Sequence, residues 1–224
     1  MIVERSPAAE LIPRPLSLLD DTIADGLARG LWSRPTTPAL VLGSGQHPPG
    51  GWAPPNGLPV VRRGTGGGAV LCDADYLMLD IALPGSDPRV LSDVSESYRW
   101  LADVLVVALA TIGVADLVPV EPAALRALDE AARAAGRIAC FAGLGPYELL
   151  DVEGRKLLGL AQRRRKGGVL FQAAAYLGGD RTSLADLLWL DRAARDDLRV
   201  RLEATATLGA RGLELPEALG AVWV

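Results

Sequence analysis

The chain is poor in two of the residues that most often do chemistry, with one histidine and two cysteines among 224 residues. A Ser-His-Asp or Cys-His site would have to use His47, which lies in a Pro/Gly loop and reads as a solvated side chain. Two cysteines and one histidine cannot build a four-ligand zinc site without carboxylates, so no metal is expected. Cys72 and Cys140 could pair in a single disulfide, but reduced thiols are expected in a chain of this size without a secretion signal. Long apolar runs are also lacking: no stretch of about 18 apolar residues is free of charge, and Glu4 and Arg5 stand where a signal peptide needs its apolar region. A soluble cytoplasmic protein with no membrane partner is the expectation. Basic excess is missing too, with 23 Lys and Arg against 27 Asp and Glu and a net charge of −4, which argues against a nucleic-acid partner. Half of the residues are hydrophobic, enough for a substantial core.

The pattern along the chain divides it into a short arm and one domain. Residues 1–17 hold three prolines and no clear period, and read as an extended arm; residues 18–224 read as one domain with a helical tail from Ser183 onward. Leu18 to Leu31 has helical spacing with acidic residues early and Arg29 late. Short apolar runs read as strands at Ala39–Leu42, Leu58–Arg63, Ala69–Cys72, Tyr76–Leu83, Arg137–Phe141, Tyr147–Val152, Arg155–Arg164 and Gly168–Leu177, with Glu153-Gly154 as a hairpin turn. Helices are expected over Asp93–Ile112 and over Pro122–Ala135, the second stopped by Gly136. Strands mixed with helices, and hairpins in both halves, indicate an α/β or α+β fold with mixed, largely antiparallel sheets flanked by helices.

Two stretches carry the chemistry. Arg62 to Asp73 reads R-R-G-T-G-G-G-A-V-L-C-D, and its Gly66-Gly67-Gly68 can bring backbone N–H groups close to a phosphate or carbonyl oxygen beside a guanidinium. It is neither a P-loop nor a dinucleotide fingerprint, and three glycines in a row also suit a plain tight turn. Cys140 to Tyr176 contains C-F-A-G-L-G-P-Y-E-L followed by G-R-K-L-L-G-L-A-Q-R-R-R-K. Cys140 reads either as a small buried hydrophobe or as a nucleophile opening onto a glycine loop, with Lys156 across the next hairpin able to favour its thiolate. Lysine is the better candidate for a general base or electrostatic stabiliser than His47. The run Arg163 to Lys166 reads as a solvated hairpin end or as a docking point for an acidic carrier domain. A flexible cradle, a thiol and a lysine together suggest acyl transfer.

These residues resemble the biotin/lipoate protein ligase family, lipoate branch. Its R-R-x-[S/T]-G-G-G-A-V loop is matched by Arg62 to Val70, and its lysine motif G-[R/K]-K-[I/L]-x-G-x-A by Gly154 to Ala161. The pair Cys140-Phe141 and the continuation Ala161-Gln162-Arg163-Arg164 resemble the family's cysteine-dependent octanoyltransferases. The resemblance implies a ligase-like catalytic domain in which Cys140 takes an octanoyl or lipoyl group as a thioester and passes it to a lysine of a lipoyl domain. Acyl carrier protein or the glycine-cleavage H protein would be the donor, with no cofactor required. It also implies that Arg62, Arg63, Gly66, Gly67, Gly68, Ala69, Gly159 and Ala161 hold the acyl group, and that Lys156 polarises the carbonyl or helps deprotonate the nucleophile. Three departures stand out: Cys72-Asp73 replaces a histidine-aspartate pair, Gln172 is followed by three alanines instead of H-G-[S/T], and only about 45 residues follow Asp180, where two-domain ligases carry an accessory domain. Two rivals remain: an ATP- and Mg²⁺-dependent lipoate ligase in which Cys140 merely packs, and a non-catalytic acyl-binding subunit of a two-part ligase.

Overall fold

The N-terminal segment is structured, contrary to the expected arm. The computed structural model describes residues 2–222; Met1, Trp223 and Val224, the extremes of the expected arm and tail, lie outside the described residues. Within it, β1 (Val3–Ser6), α1 (Ala8–Leu11) and α2 (Arg14–Asp25) follow one another. β1 pairs in parallel with β2 (Arg29–Pro35), Val3 opposite Trp32, and Ala8 and Leu11 are buried. The prolines mark helix starts here: Pro7 and Pro13 precede the first turns of α1 and α2, and Pro15 lies within the first turn of α2, where a missing N–H has no intrahelical partner to lose. α2 stops at Asp25 because Gly26 takes a left-handed φ of 76°. Residues 29–31, expected to extend that helix, belong to β2.

A three-stranded sheet follows, with β3 (Ala39–Leu42) between β4 (Val60–Arg62) and β5 (Val70–Cys72). β6 (Tyr76–Pro84), α3 (Arg99–Thr111), β7 (Val118–Pro119), α4 (Pro122–Arg126), α5 (Glu130–Ile138), β8 (Leu149–Leu150), β9 (Lys156–Arg165), β10 (Gly168–Tyr176), α6 (Arg192–Glu203) and α7 (Leu215–Val222) complete the chain. The larger sheet has the order β1-β2-β6-β10-β9-β8-β7 and is antiparallel except at β1–β2. The mixed, largely antiparallel α/β architecture expected from the sequence is therefore present.

β6 and β10 divide the molecule into two cores by simple alternation. Leu77, Leu79, Ile81, Leu83 and Phe171 pack on the side of α3 and α7. Tyr76, Met78 and Tyr176 pack on the other side, with α1, the small sheet and Phe141. That second side also presents the row Asp80, Gln172 and Ala161, paired across three strands, and beside it Met78, Ala174 and Gly159.

Two local departures from the sequence reading matter for the site. The helix expected over 122–135 is two helices, because Asp129 caps a new start, its carboxylate accepting from Ala132 N at 2.7 Å. α5 then runs through Gly136 to Ile138, so the expected strand 137–141 does not form; a run of so few apolar residues cannot distinguish a strand from a buried helix end. Gly136 is needed for proximity: a Cβ there would lie 3.2 Å from Gly143 Cα. Cys140 consequently opens a 3-10 turn, Cys140–Ala142, directly after α5.

Candidate active site

Cys140 is held at both of its backbone polar groups. Its N–H donates to Ala69 O at 3.0 Å, while Ala69 N–H donates to Ile138 O at 2.9 Å. The Gln46 amide, from the Pro/Gly loop, donates to Arg137 O at 3.1 Å and Ile138 O at 3.0 Å, covering carbonyls that the end of α5 leaves open. The Cys140 carbonyl accepts from Lys156 Nζ at 2.8 Å. Phe141 is buried against Tyr76 and Tyr176, and the Lys156 ammonium stands 5.1 Å from its ring centre.

Lys156 and Glu148 form a buried pair, 4% and 3% exposed, at 2.6 Å. The ammonium also donates to Gly143 O at 3.0 Å. Its three protons thus have three acceptors, Cys140 O, Gly143 O and Glu148 Oε2. The carboxylate is equally engaged, accepting from Gly145 N at 2.6 Å and Leu160 N at 3.1 Å. With these contacts Lys156 ties the Cys140 and Gly143 carbonyls to the Glu148 carboxylate. It shapes the loop that presents Cys140. Glu148 belongs to the run P-Y-E-L, and sequence spacing alone does not announce it as the partner of a buried lysine.

Arg63 lines the same cavity walls as Cys140. Burial opposes its charge, but the Cys140 thiol, Tyr76 and Glu148 outweigh that and raise its pKa. Its guanidinium donates to Gly68 O at 3.0 Å, and its Nε is buried without a hydrogen-bond partner. Arg62 points elsewhere, donating to Ser44 O at 3.3 Å and to Gln46 O. It braces the Pro/Gly loop and is not brought to the site.

Two cavities meet at Cys140. An outer groove of about 480 Å³ includes Gly66, Gly67, Gly68, Arg133, Glu148 and Lys156 in its walls. An inner, mostly apolar cavity of about 40 Å³ runs under Leu11, Ile12 and Pro15 and over Met78, Gly159 and Ala174. Arg63, Cys140, Leu160 and Ala161 belong to both. Of the expected residues, Gly66 to Gly68 therefore line the groove and Gly159 the inner cavity. Ala69 is fully buried and serves by clamping Cys140. The glycine loop is also packed tightly: a Cβ on Gly68 would lie 2.6 Å from the Ala139 backbone, and one on Gly43 would lie 1.9 Å from Gly67 O.

Cys72 and Cys140 are both free thiols. Burial pushes the Cys72 thiol far up, which makes it a poor nucleophile. The basic run is mostly engaged: Arg163 donates to Gly64 O at 2.8 Å, Arg164 to Leu91 O at 2.7 Å, and Arg165 pairs with Asp20. Asp80, in the inner cavity wall, escaped the sequence reading, although a lone carboxyl inside a run of otherwise apolar strand residues was a visible signal.

Two outcomes follow from this geometry. Lys156→Met strands the Glu148 charge and should lower stability by about 3–5 kcal/mol, whereas Lys156→Met combined with Glu148→Leu should recover much of the loss, as read by urea denaturation. Burial raises the Asp80 carboxyl from 3.8 to about 7. The folded chain then retains a proton that the unfolded chain releases, so this group's stabilising contribution is full below about pH 3.8 and is lost as the pH climbs to about 7. Denaturation at several pH values should show the native chain losing stability relative to Asp80→Asn across that window.

Comparison with known proteins places this arrangement. The family model of the lipoyl protein ligase A/B catalytic domain matches residues 18–202. An octanoyltransferase LipM from Exiguobacterium sp. is 36% identical over 153 residues, covering 67% of this chain and 53% of the relative. One from Moorella thermoacetica is 36% identical over 172 residues, covering 73% and 55%. The chain spans about half the length of the curated relatives it matches. Among solved structures, the bi-partite lipoate protein ligase of Thermoplasma acidophilum has a TM-score of 0.66 at 19% identity, covering 100% of this chain and 82% of that one. Lipoate-protein ligase A bound with ATP has a TM-score of 0.58 at 19% identity, covering 98% and 93%. These likenesses establish a shared fold, and the domain match establishes kinship: the chain belongs to the lipoyl protein ligase A/B catalytic domain family.

Proposed function

We propose that this chain is an acyltransferase that moves an octanoyl or lipoyl group onto the lysine of a lipoyl domain through a thioester on Cys140, working in the cytoplasm. The observation that carries this reading is the position of Cys140 at the junction of a small apolar cavity, which a hydrocarbon chain enters only if a wall yields, and an open groove suited to the two protein partners. The similarity to LipM octanoyltransferases supports it. In the first half-reaction the Cys140 sulfur attacks the acyl carbonyl of a thioester donor, an acyl carrier protein or H protein, and the donor thiolate leaves. In the second, the acceptor amine attacks the Cys140 thioester and the cysteine sulfur leaves. The unpartnered Nε of Arg63 supplies a hydrogen bond to the oxyanion formed in each step; a preorganised donor of this kind contributes about 10²–10³ in rate.

A second reading, an ATP- and Mg²⁺-dependent lipoate ligase, would place an adenylate phosphate against Gly66 to Gly68 in the outer groove, and the size of that groove favours it. Neither the thiol chemistry of Cys140 nor its double backbone clamp is needed there.

Incubation with octanoyl-acyl carrier protein should give a hydroxylamine-labile adduct of octanoyl mass. Cys72→Ala should still form it and Cys140→Ala should not, as measured by intact mass. An adduct on Cys140→Ala that disappears in Cys72→Ala would reverse the assignment.

A further inference from the structure

Asp80 is out of place in a cavity meant for plain hydrocarbon. It is 2% exposed and sits in the inner cavity wall with Leu11, Ile12, Val41 and Met78. Gln172, its cross-strand neighbour, donates from Nε2 to Asp80 Oδ1 at 2.5 Å, and the Gln172 carbonyl accepts from Thr65 Oγ1 at 2.5 Å. The Thr65 hydroxyl thereby fixes which way the Gln172 amide faces, and Gln172 fixes the carboxyl. Asp80 Oδ2 has no hydrogen-bond donor among the described residues. An acyl chain that fills the cavity displaces whatever water reaches this oxygen, and a saturated chain gives nothing back; a buried polar group left without a partner is costly. A chain that carries a hydroxyl restores the bond.

We propose that the inner cavity selects acyl chains bearing a hydroxyl on the hydrocarbon over plain saturated ones, with Asp80 Oδ2 as the group that reads the hydroxyl. This rests on the reading of the cavity as the acyl site and names its substrate class. The recognition works in either protonation state: a neutral carboxyl donates to the hydroxyl oxygen, and a carboxylate accepts its proton. Burial, which brings the Asp80 carboxyl to about 7, makes both forms available near neutral pH. The residues in the same and the adjacent row, Ala161, Gly159 and Ala174, are small and keep that wall low. The same Gln172 and Thr65 bonds tie the selecting carboxyl to the glycine loop, so an occupied wall and an ordered loop belong to one hydrogen-bonded unit.

The test is calorimetric binding of free octanoate and of the positional isomers of hydroxyoctanoate to the full chain, to Asp80→Val and to the near-isosteric Asp80→Asn. The expected result is that one isomer binds the native chain about tenfold more tightly than octanoate, as one hydrogen bond to a buried partner allows. Asp80→Asn should keep that preference and Asp80→Val should lose it. Octanoate binding as well as every isomer, a preference that survives in Asp80→Val, or no binding by any of the acids would overturn the proposal. The same acyl groups offered as thioester donors, with the Cys140 adduct as readout, separate the two readings. Selective binding without any adduct refutes the transfer reading alone, and an octanoyl adduct without selective binding refutes this proposal alone.

Discussion

The Lys156 ammonium is cut off from water and must find all its hydrogen bonds in the protein, and the arrangement around Cys140 follows from that requirement. Two of its three acceptors are backbone carbonyls of the turn that begins at Cys140, and the third is a buried carboxylate that in turn holds Gly145 and Leu160. A buried ion pair is a poor source of stability unless its remaining polar capacity is met. Here it is met by the backbone that carries the thiol, so the desolvation that makes the pair risky also makes the loop rigid. The opposite edge of the cysteine is fastened by Ala69, which is why the alanine of the R-R-x-T-G-G-G-A-V loop sits out of the groove and still matters to the site. Glycines at 43, 67, 68, 136 and 143 let these backbones approach one another without side chains between them.

With the turn fixed, the two cavities are bounded by different elements. Residues that the sheet places in adjacent rows, Gly159, Ala161 and Ala174, keep one wall low, and the N-terminal helices supply the opposite wall through Leu11, Ile12 and Pro15. At about 40 Å³ the inner cavity is smaller than the roughly 150 Å³ of a cavity able to hold benzene. The proposed acyl chain would therefore enter only if a wall yields. The sheet wall is tied by ladder hydrogen bonds on both sides, whereas the opposite wall includes α1, a single turn of helix.

Much of this was legible in the sequence. The glycine loop, the lysine motif and the Cys-Phe pair stand out as runs of residue types, and the near-continuous apolar strand at 76–83 reflects burial on both faces. What was not legible depends on three-dimensional pairing. Prolines at 7, 13 and 15 look like breakers until β1 is seen paired with β2. Gly136 looks like a helix stop until Gly143 is seen against it. Arg62 and Arg63 are adjacent and of one type, yet one turns to the Pro/Gly loop and the other to the cavity walls it shares with Cys140. Lys156 stands out in its motif, but its contacts do not, because two of its three acceptors are backbone carbonyls that no residue type announces and the third, Glu148, becomes its partner only in the fold.

The central claim is that this chain transfers an acyl group that arrives already activated. A thioester donor needs no nucleotide, whereas a free acid needs ATP and Mg²⁺ to create a leaving group. The direct measurement is acylation of a lipoyl-domain lysine from octanoyl-acyl carrier protein or octanoyl-H protein in nucleotide-free buffer containing EDTA, followed by mass spectrometry of the acceptor. The account predicts that the acceptor gains the octanoyl mass under these conditions. Acylation that occurs only with free acid, ATP and Mg²⁺ would contradict it.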